Sequence, residues 1–331
     1  MDTVIERQPF DMAKINSQSE DDLFYFVEQN PDAAERITAP RYSYWASVFR
    51  IFFKKRGNIV ALVVLALVLL MSYIFPLIFP YDPMAHLRET ELINLSPAEA
   101  IALKGFSLEW ILGTGGTGNS IFYGIWASAR ISLTLSFICA IINMSIGVIV
   151  GAVWGYNKSV DSVLNVIYNI VANVPYLLLI SVLVYVLDRS FGSFIFALTI
   201  TGWLGIAYFM RTQVLIIRDR EYNLASRCLG TPMLRIVTKN VLPYLTSVIV
   251  TLLASDIPAY ISSEVYLTYL GIGMSAEVPS LGHMIGDAQT SWVLYPWPFW
   301  APVVVSAIIT VILYFVGQSL ADASDPRSHM K

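Results

Sequence analysis

The chain has 331 residues, of which 56% are hydrophobic and only 14% are charged, and its mean hydropathy is +0.61. Soluble globular domains have roughly half apolar and a quarter charged residues, so this composition excludes an ordinary soluble protein and indicates one that crosses a membrane several times. The net charge of −3 says little as a total, because the distribution of Lys and Arg between loops decides how such a protein is oriented.

The polar residues 1–57 are predicted to form a cytoplasmic N-terminal tail, with one short amphipathic helix near Leu23–Val27. The apolar stretch of a signal peptide is missing near the start, so none is expected. Residues 58–80 are apolar and long enough to cross the roughly 30 Å hydrocarbon core as the first transmembrane helix. A basic cluster directly before them, which includes Lys54 and Arg56, predicts that the tail lies inside.

Residues 81–129 form a long polar segment that is poor in Lys and Arg, which predicts an extracellular loop. Ser96, Pro97 and Glu99 have the spacing of a helix start with a capping box, so part of this loop should be helical. The stretch Gly113–Ser120 satisfies the G-x-G-x-x-G pattern of nucleotide-binding loops. It lacks the Lys of a phosphate-binding loop and the βαβ context of a dinucleotide site, so nucleotide binding is not expected there.

Residues 130–320 are predicted to contain five further spans, and residues 321–331 a cytoplasmic C-terminal tail. The predicted spans are Ile131–Trp154, Val163–Leu187, Phe191–Ile217, Tyr244–Leu270 and Ala301–Leu320. Met274 to Phe299 contains neither Lys nor Arg and is predicted to lie outside. With six spans, both termini are cytoplasmic.

Glycines recur every four residues in the second span, at Gly147, Gly151 and Gly155. They give one helix face a flat strip that another backbone can approach closely, so we interpret them as a helix-packing surface. The two cysteines, Cys139 in this span and Cys228 in a later loop, are expected to be free thiols.

Polar residues inside the later spans are candidates for a translocation path. Asparagines recur at the same spacing in the third span, at Asn165, Asn169 and Asn173. They either hydrogen-bond a neighbouring helix or line a path, and Pro175 should kink the helix just after them. Asp256 and Glu264 in the fifth span are close to two helical turns apart, and the same two alternatives apply to them.

Residues 218–243 form a polar loop between the fourth and fifth spans. Its basic residues outnumber its acidic ones, which predicts a cytoplasmic position. The pattern predicts one helix from Glu221 to Leu229 that Gly230 stops, and a second helix that begins near Pro232 and ends before Pro243. A rigid helix pair on a membrane face is a docking element.

This loop resembles the cytoplasmic coupling loop of ABC importer permeases, and most closely that of the oligopeptide, dipeptide and nickel transport branch. The branch pattern Glu-Tyr-x-x-Ala-Ala-Arg-x-Leu-Gly is matched by Glu221, Tyr222, Ala225, Arg227, Leu229 and Gly230, with Ser226 as a small replacement and Leu242-Pro243 closing the loop. Two positions differ from the wider family, since Leu224 replaces a Glu and Asn240 replaces an Ile. Further similar stretches are Leu112–Thr114, Ala129–Leu133, Ser262–Gly273, Pro279–Met284 and Asp322–Arg327.

The resemblance implies a C-type peptide permease subunit with an all-α fold of six transmembrane helices, the type I ABC importer permease architecture, in the plasma membrane of a prokaryote. It implies a second homologous permease subunit in a heterodimer, two ATP-binding subunits, an extracellular substrate-binding protein and surrounding lipid as partners, and peptides, oligopeptides first, as substrate. ATP and Mg would be bound by the partner ATPases and no cofactor by this chain. No nucleic acid partner is implied, and the lone His283 does not make a metal site.

Two other classes stay open on the residues alone. An ion-coupled secondary transporter would use Asp256 and Glu264 as coupling acids, although the inverted repeats usual in such folds are not found. A receptor or scaffold without transport would leave these two acids unexplained. No catalytic triad, metal cluster or complete phosphate loop is seen, so an enzyme with its own ATPase site is not expected.

Overall fold

In the computed structural model, which describes residues 43–86 and 88–325, the chain is built from helices joined by short loops. From Tyr44 onward these residues belong to one unit. The amphipathic helix predicted near Leu23–Val27 and the final Pro326-Arg327 of the C-terminal similarity lie outside the described residues.

The helices in chain order are α1 Tyr44–Lys54, α2 Arg56–Tyr73, α3 Phe75–Ile78, α4 Pro97–Lys104, α5 Ile121–Tyr156, α6 Lys158–Ala172, α7 Tyr176–Val186, α8 Phe191–Ile217, α9 Glu221–Cys228, α10 Met233–Ile236, α11 Leu242–Tyr244, α12 Thr246–Tyr269, α13 Leu281–Ala288 and α14 Trp297–Ser324. A 3₁₀ turn at Thr90–Leu92 and a π-helical turn at Val237–Val241 complete the list. The predicted all-α fold is confirmed.

Within the described part, five helical segments are long and apolar enough to cross a membrane. They are Arg56–Ile78, which comprises α2 and α3, and the helices α5, α8, α12 and α14. Helices α6 and α7 pass the same test together, but they meet at an angle of 82°. The six predicted spans are therefore found when this bent pair counts as one span.

The third predicted span differs from the expected kinked helix because it is broken completely. Helix α6 ends at Ala172 and α7 begins at Tyr176, with Pro175 in the capping position. Proline has no N–H to continue the hydrogen-bond ladder, and it disfavours a helical conformation at the residue before it. The break therefore falls where the sequence placed a kink, but the change of direction is much larger.

Helices α5 and α8 pack together in the centre, and α12 packs against both α5 and α14. One apolar cluster joins α5, α7, α8 and α12 around buried Leu135 and Phe194, and a second joins the C-terminal halves of α5 and α8 to the loop through Met210 and Val241. A third cluster places α2 and α14 against α5 around Leu133 and Ile309. The core thus packs directly against the loop between α8 and α12.

The segment between α3 and α5 contains the predicted capping box. The Ser96 side chain accepts a hydrogen bond from the Glu99 amide, and the Glu99 carboxylate accepts one from the Ser96 amide at 2.9 Å, so α4 starts as predicted. The Gly-rich stretch forms a tight loop closed by an antiparallel bridge between Thr114 and Ser120. A side chain at Gly113, which has a φ of +76°, would lie 2.5 Å from the Leu95 carbonyl oxygen, and this contact accounts for the glycine.

Candidate functional site

The first arm of the loop is helix α9, which follows α8 almost without interruption. Glu221 lies in its first turn, where a negative charge favours the helix N-terminus. Gly230 adopts a φ of +76°, and its amide donates to the Arg227 carbonyl at 2.9 Å. Residues with a side chain rarely adopt this conformation, so the helix ends where the sequence predicts.

The second arm does not end before Pro243, and this part of the prediction is wrong. Helix α10 continues through the π-helical turn Val237–Val241 into α11, which contains Pro243. In the wider turn, the Leu242 amide donates to the Val237 carbonyl, five residues back. Such a turn loosens the ladder where Pro243 has no N–H and would clash with a carbonyl of the preceding turn.

A buried polar contact fixes the two arms to each other. Asn223 is fully buried, and its Nδ2 donates to the Ile217 carbonyl at the end of α8 at 3.0 Å. From the second arm, Asn240 Nδ2 donates to Asn223 Oδ1 at 3.1 Å and lies 3.4 Å from Ser226 Oγ. Asn240 replaces an Ile of the wider family, so here hydrogen bonds join the arms. Sequence reasoning missed Asn223, because nothing in its spacing distinguishes it from a solvated helix residue.

Charged side chains attach the base of the loop to the bundle. Asp219 accepts hydrogen bonds from Arg227 Nη2 at 2.9 Å and from Arg218 Nε at 3.1 Å, and these two guanidinium groups lower the pKa of Asp219. Arg218 Nη1 also donates to the Gly155 carbonyl on α5 at 3.0 Å. The guanidinium of Arg227 lies 5.8 Å from the ring centroid of Tyr156. The loop is therefore held as a rigid extension of α5 and α8.

Four large apolar side chains of the loop are exposed in this chain. Tyr222 and Leu224 on α9 are each 43% exposed, Leu234 on α10 is 68% exposed and Leu229 between them is 86% exposed. We call these four residues the docking surface. Glu221, Ala225, Arg227 and Gly230 are exposed around it, and Ser226 is half-buried. Exposed large apolar side chains are typical of surfaces to which a partner binds.

Glu264 is fully buried within the bundle. Its carboxylate accepts hydrogen bonds from Ser132 Oγ on α5 at 2.7 Å and from Thr268 Oγ1 at 3.2 Å. Ser132 Oγ in turn accepts from the Leu281 amide at the start of α13 at 3.2 Å. Of the two alternatives for this acid, the geometry favours the one in which it joins neighbouring helices over the one in which it lines a path.

Asp256 differs from Glu264, since it is half-buried and its Oδ2 atom is buried without a hydrogen-bond partner in the described part of the chain. One turn further along α12, the Tyr260 hydroxyl accepts a hydrogen bond from Asn143 Nδ2 at 2.5 Å. The structure places the two predicted acids in different surroundings, and of these two only Asp256 has a carboxylate oxygen without a partner among the described residues.

The asparagine line of α6 faces away from the rest of this chain. Asn169 and Asn173 are exposed and Asn165 is half-buried. Asn173 Nδ2 donates to the Asn169 carbonyl of the same helix at 2.5 Å. Among residues 43–86 and 88–325, no hydrogen bond from these side chains reaches another helix, so these amides do not fasten α6 within the subunit.

The glycine strip of α5 faces α8. A Cβ atom at Gly147 would lie 2.7 Å from Ile206 Cβ, one at Gly151 would lie 2.5 Å from the Ala207 carbonyl oxygen, and one at Gly155 would lie 2.7 Å from the Arg211 carbonyl oxygen. These separations are too short for any side chain. The strip brings the backbone of α5 against the helix that leads into the loop.

Residues 143–329 match the model of the family described as binding-protein-dependent transport system inner membrane component. Residues 43–97 match the N-terminal transmembrane domain of oligopeptide transport permease C. The chain is 42% identical to the oligopeptide transport system permease protein AmiD of Streptococcus pneumoniae, over 92% of this chain and 97% of that protein. It is 32% identical to the oligopeptide permease protein OppC of Bacillus subtilis, over 92% and 97% of the two chains, and 31% identical to the dipeptide permease protein DppC of the same species, over 97% of each. The chain therefore belongs to the binding-protein-dependent transport family and is a multi-pass inner membrane permease subunit of an ABC importer.

Proposed function

We propose that the chain is the C-type permease subunit of an ATP-driven importer of peptides, oligopeptides first, in the plasma membrane of a prokaryote. The substrate class follows from relatives named as oligopeptide and dipeptide permeases that match nearly the whole chain. The observation that carries the mechanism is the docking surface, a set of four exposed apolar side chains on a helix pair joined by the hydrogen bond between Asn240 and Asn223. The ion-coupled alternative is set aside, because the relatives are permease subunits of binding-protein-dependent systems.

Three kinds of protein partner complete the importer in this proposal. Two ATP-binding subunits hold ATP and Mg, and one of them covers the docking surface. A second, homologous permease subunit forms a heterodimer with this chain. An extracellular substrate-binding protein delivers the peptide at the opposite end. Asp256 and the asparagine line of α6 remain our proposed path residues.

The mechanism follows from how the loop is attached. Helix α8 is continuous from Phe191 to Ile217, and the Asn223 side chain ties α9 directly to its last residue. Closure of the ATPases on ATP would move the docked helix pair as a rigid body, and α8 would follow. The chemical energy is released in the partners, and this chain converts their movement into a change of access to the path.

The proposed orientation puts the loop 218–243 in the cytoplasm and residues 81–120 and 271–296 outside, because Lys and Arg are concentrated in the loop. Single cysteines at Lys104 and Ala276 should react with an impermeant thiol reagent in intact cells, and a cysteine at Arg235 should not. The native Cys139 and Cys228 are replaced by Ser in all variants. The reverse labelling pattern would reject this orientation.

The coupling role is tested by enlarging the small residues beside the docking surface. Ala225→Trp and Gly230→Val should leave the subunit in the membrane but abolish peptide uptake and release the ATPases, the first by obstructing the interface and the second by straining a positive φ. Glu221→Ala is the control, since an exposed acid at a helix start contributes only about 0.3–1 kcal/mol. Uptake is measured in cells, and retained ATPase is measured on the purified complex. If both bulky variants transport peptide with the ATPases bound, the loop is not the docking element.

A further inference from the structure

Helix α6, the first half of the broken span, is loosely attached to the rest of the subunit. None of its residues is fully buried, and its apolar residues Val163, Val166 and Ile170 are largely exposed. A helix with so little buried surface keeps its position through specific contacts rather than through a general apolar core.

One such contact is an ion pair between α6 and α8. Arg211 Nε on α8 donates to Asp161 Oδ1 at 2.5 Å, and Arg211 Nη2 donates to Asp161 Oδ2 at 3.1 Å. Trp154 Nε1 on α5 donates to Asp161 Oδ1 at 2.9 Å. The Arg211 and Asp161 side chains are only 15% and 25% exposed. Two parallel hydrogen bonds to one carboxylate are the strongest and most directional form of this pair.

Aromatic rings surround the ion pair and add a second attachment. The Arg211 guanidinium lies 5.7 Å from the ring centroids of both Trp154 and Tyr208. Tyr208 on α8 stacks on Tyr168 of α6, with centroids 4.3 Å apart and planes 6° from parallel. Asp161 and Tyr168 are about two turns apart, so they lie on one face of α6. We call these five residues the clasp.

The clasp lies between the loop 218–243 and the break between α6 and α7. From Arg211, α8 continues as an uninterrupted helix to Ile217, and the loop begins at the next residue. From Asp161, α6 continues to Ala172, where the chain turns through 82° into α7. The clasp therefore joins the helix that ends in the loop to the helix that ends in the break.

We propose that Asp161 is a positioning residue for transport. It acts through Arg211 and makes α6 follow α8 when the loop 218–243 moves, and the bend at residues 173–175 changes as a result. A pair that only stabilised the fold could connect any two helices. The Asp161–Arg211 pair holds α6, which is weakly buried, at the place where a movement of the loop would be passed from α8 to α6. The inference rests on the proposed function for its direction, from ATPase to path.

The test uses the complete importer in proteoliposomes with its loaded binding protein. In Asp161→Asn, the amount of peptide taken up per ATP hydrolysed should fall about 2- to 30-fold, which is the range expected for residues that carry coupling between distant sites. ATP hydrolysis stimulated by the binding protein should persist. The exchange variant, Asp161→Arg with Arg211→Asp, should recover most of the ratio. Asp188→Asn is the matched control, since this exposed acid is hydrogen-bonded to Ser190 and Ser193 near the start of α8. A purely structural role would lower the yield of complex and leave the ratio unchanged.

A second measurement does not depend on transport. Spin labels at Ile170 and Tyr185, both largely exposed, span the break in a background without native cysteines. ATP trapped in the partners should shift their distance in the otherwise unchanged chain but not in Asp161→Asn. An unchanged ratio or an unchanged shift in Asp161→Asn would overturn the inference, and so would an exchange variant that assembles but stays uncoupled. If the distance shifts but no peptide is taken up, the proposed function fails and the positioning role stands.

Discussion

Adding one methyl group to the glycine strip is the sharpest test of how α5 meets α8. In Gly151→Ala, the new Cβ would lie 2.5 Å from the Ala207 carbonyl oxygen and 2.7 Å from Met210 Cβ. The nearer contact is 0.9 Å inside the 3.4 Å at which ordinary van der Waals contact begins. The carbonyl belongs to a helix backbone and cannot rotate away, so the two helices must separate.

The expected cost combines two opposing effects. Overpacking of a tight interface costs about 1–3 kcal/mol, and a backbone contact belongs in the upper half of that range. Ala is a better helix former than Gly by about 1 kcal/mol, which offsets part of the cost. We therefore expect a net destabilisation of about 1–2 kcal/mol. Gly205→Ala on the facing helix is the control, because no atom of the described residues lies within 4 Å of its new Cβ.

The buried thiol of Cys139 on α5 reports unfolding of this subunit. In a Cys228→Ser background, the purified complex is heated with a thiol-reactive dye, and labelling is read on the separated subunit. The midpoint of labelling should fall for Gly151→Ala and should stay the same or rise for Gly205→Ala. Equal midpoints in the two variants would refute the close approach of α5 and α8.

Three further results are expected. Glu264→Leu should destabilise the complex by about 1–3 kcal/mol, because Ser132 and Thr268 lose their buried acceptor. Glu264→Gln keeps an acceptor and should destabilise the complex less, so equal shifts of the thermal midpoint in the two variants would contradict this reasoning. Ser96→Ala should weaken α4 by about 0.5–2 kcal/mol, seen as faster amide exchange confined to that helix. The arginines beside Asp219 lower its pKa, so its ion pairs stabilise the loop above its unfolded pKa and are lost as the pH falls through the lower folded value. Amide protection in the loop should therefore drop below about pH 4 in the natural chain, and Asp219→Asn should remove this dependence.

The properties that the sequence predicted correctly are local ones. Apolar length and the position of Pro175 located the spans and the break, and Gly230 located the end of α9, because each depends on a few adjacent residues. The second span was predicted too short, since α5 begins at Ile121 rather than near Ile131. Residues 81–129 were predicted as one polar loop, and the last nine of them belong to α5.

The features that could not be predicted depend on which helices become neighbours. Arg211 inside a predicted span was a signal, since a charge there needs a partner. Asp161 lies just before the third predicted span and is 50 residues away from Arg211 in sequence, so only the fold identifies the pair. Glu264 and Asp256 look alike as sequence, and only the position of Ser132 on α5 separates a satisfied acid from an unpaired one.

The glycine strip also has a consequence for biogenesis. Its partner surface on α8 is synthesised only after the bent pair α6 and α7, so α5 is complete before Ala207 is added to the chain. At about 5–20 residues per second, the ribosome needs several seconds to supply it. Throughout that interval, the flat face of α5 lacks the partner surface that covers it in the folded subunit. The strip therefore makes the order of translation part of how this subunit reaches its fold, and lengthening the segment between the two helices would prolong the exposure.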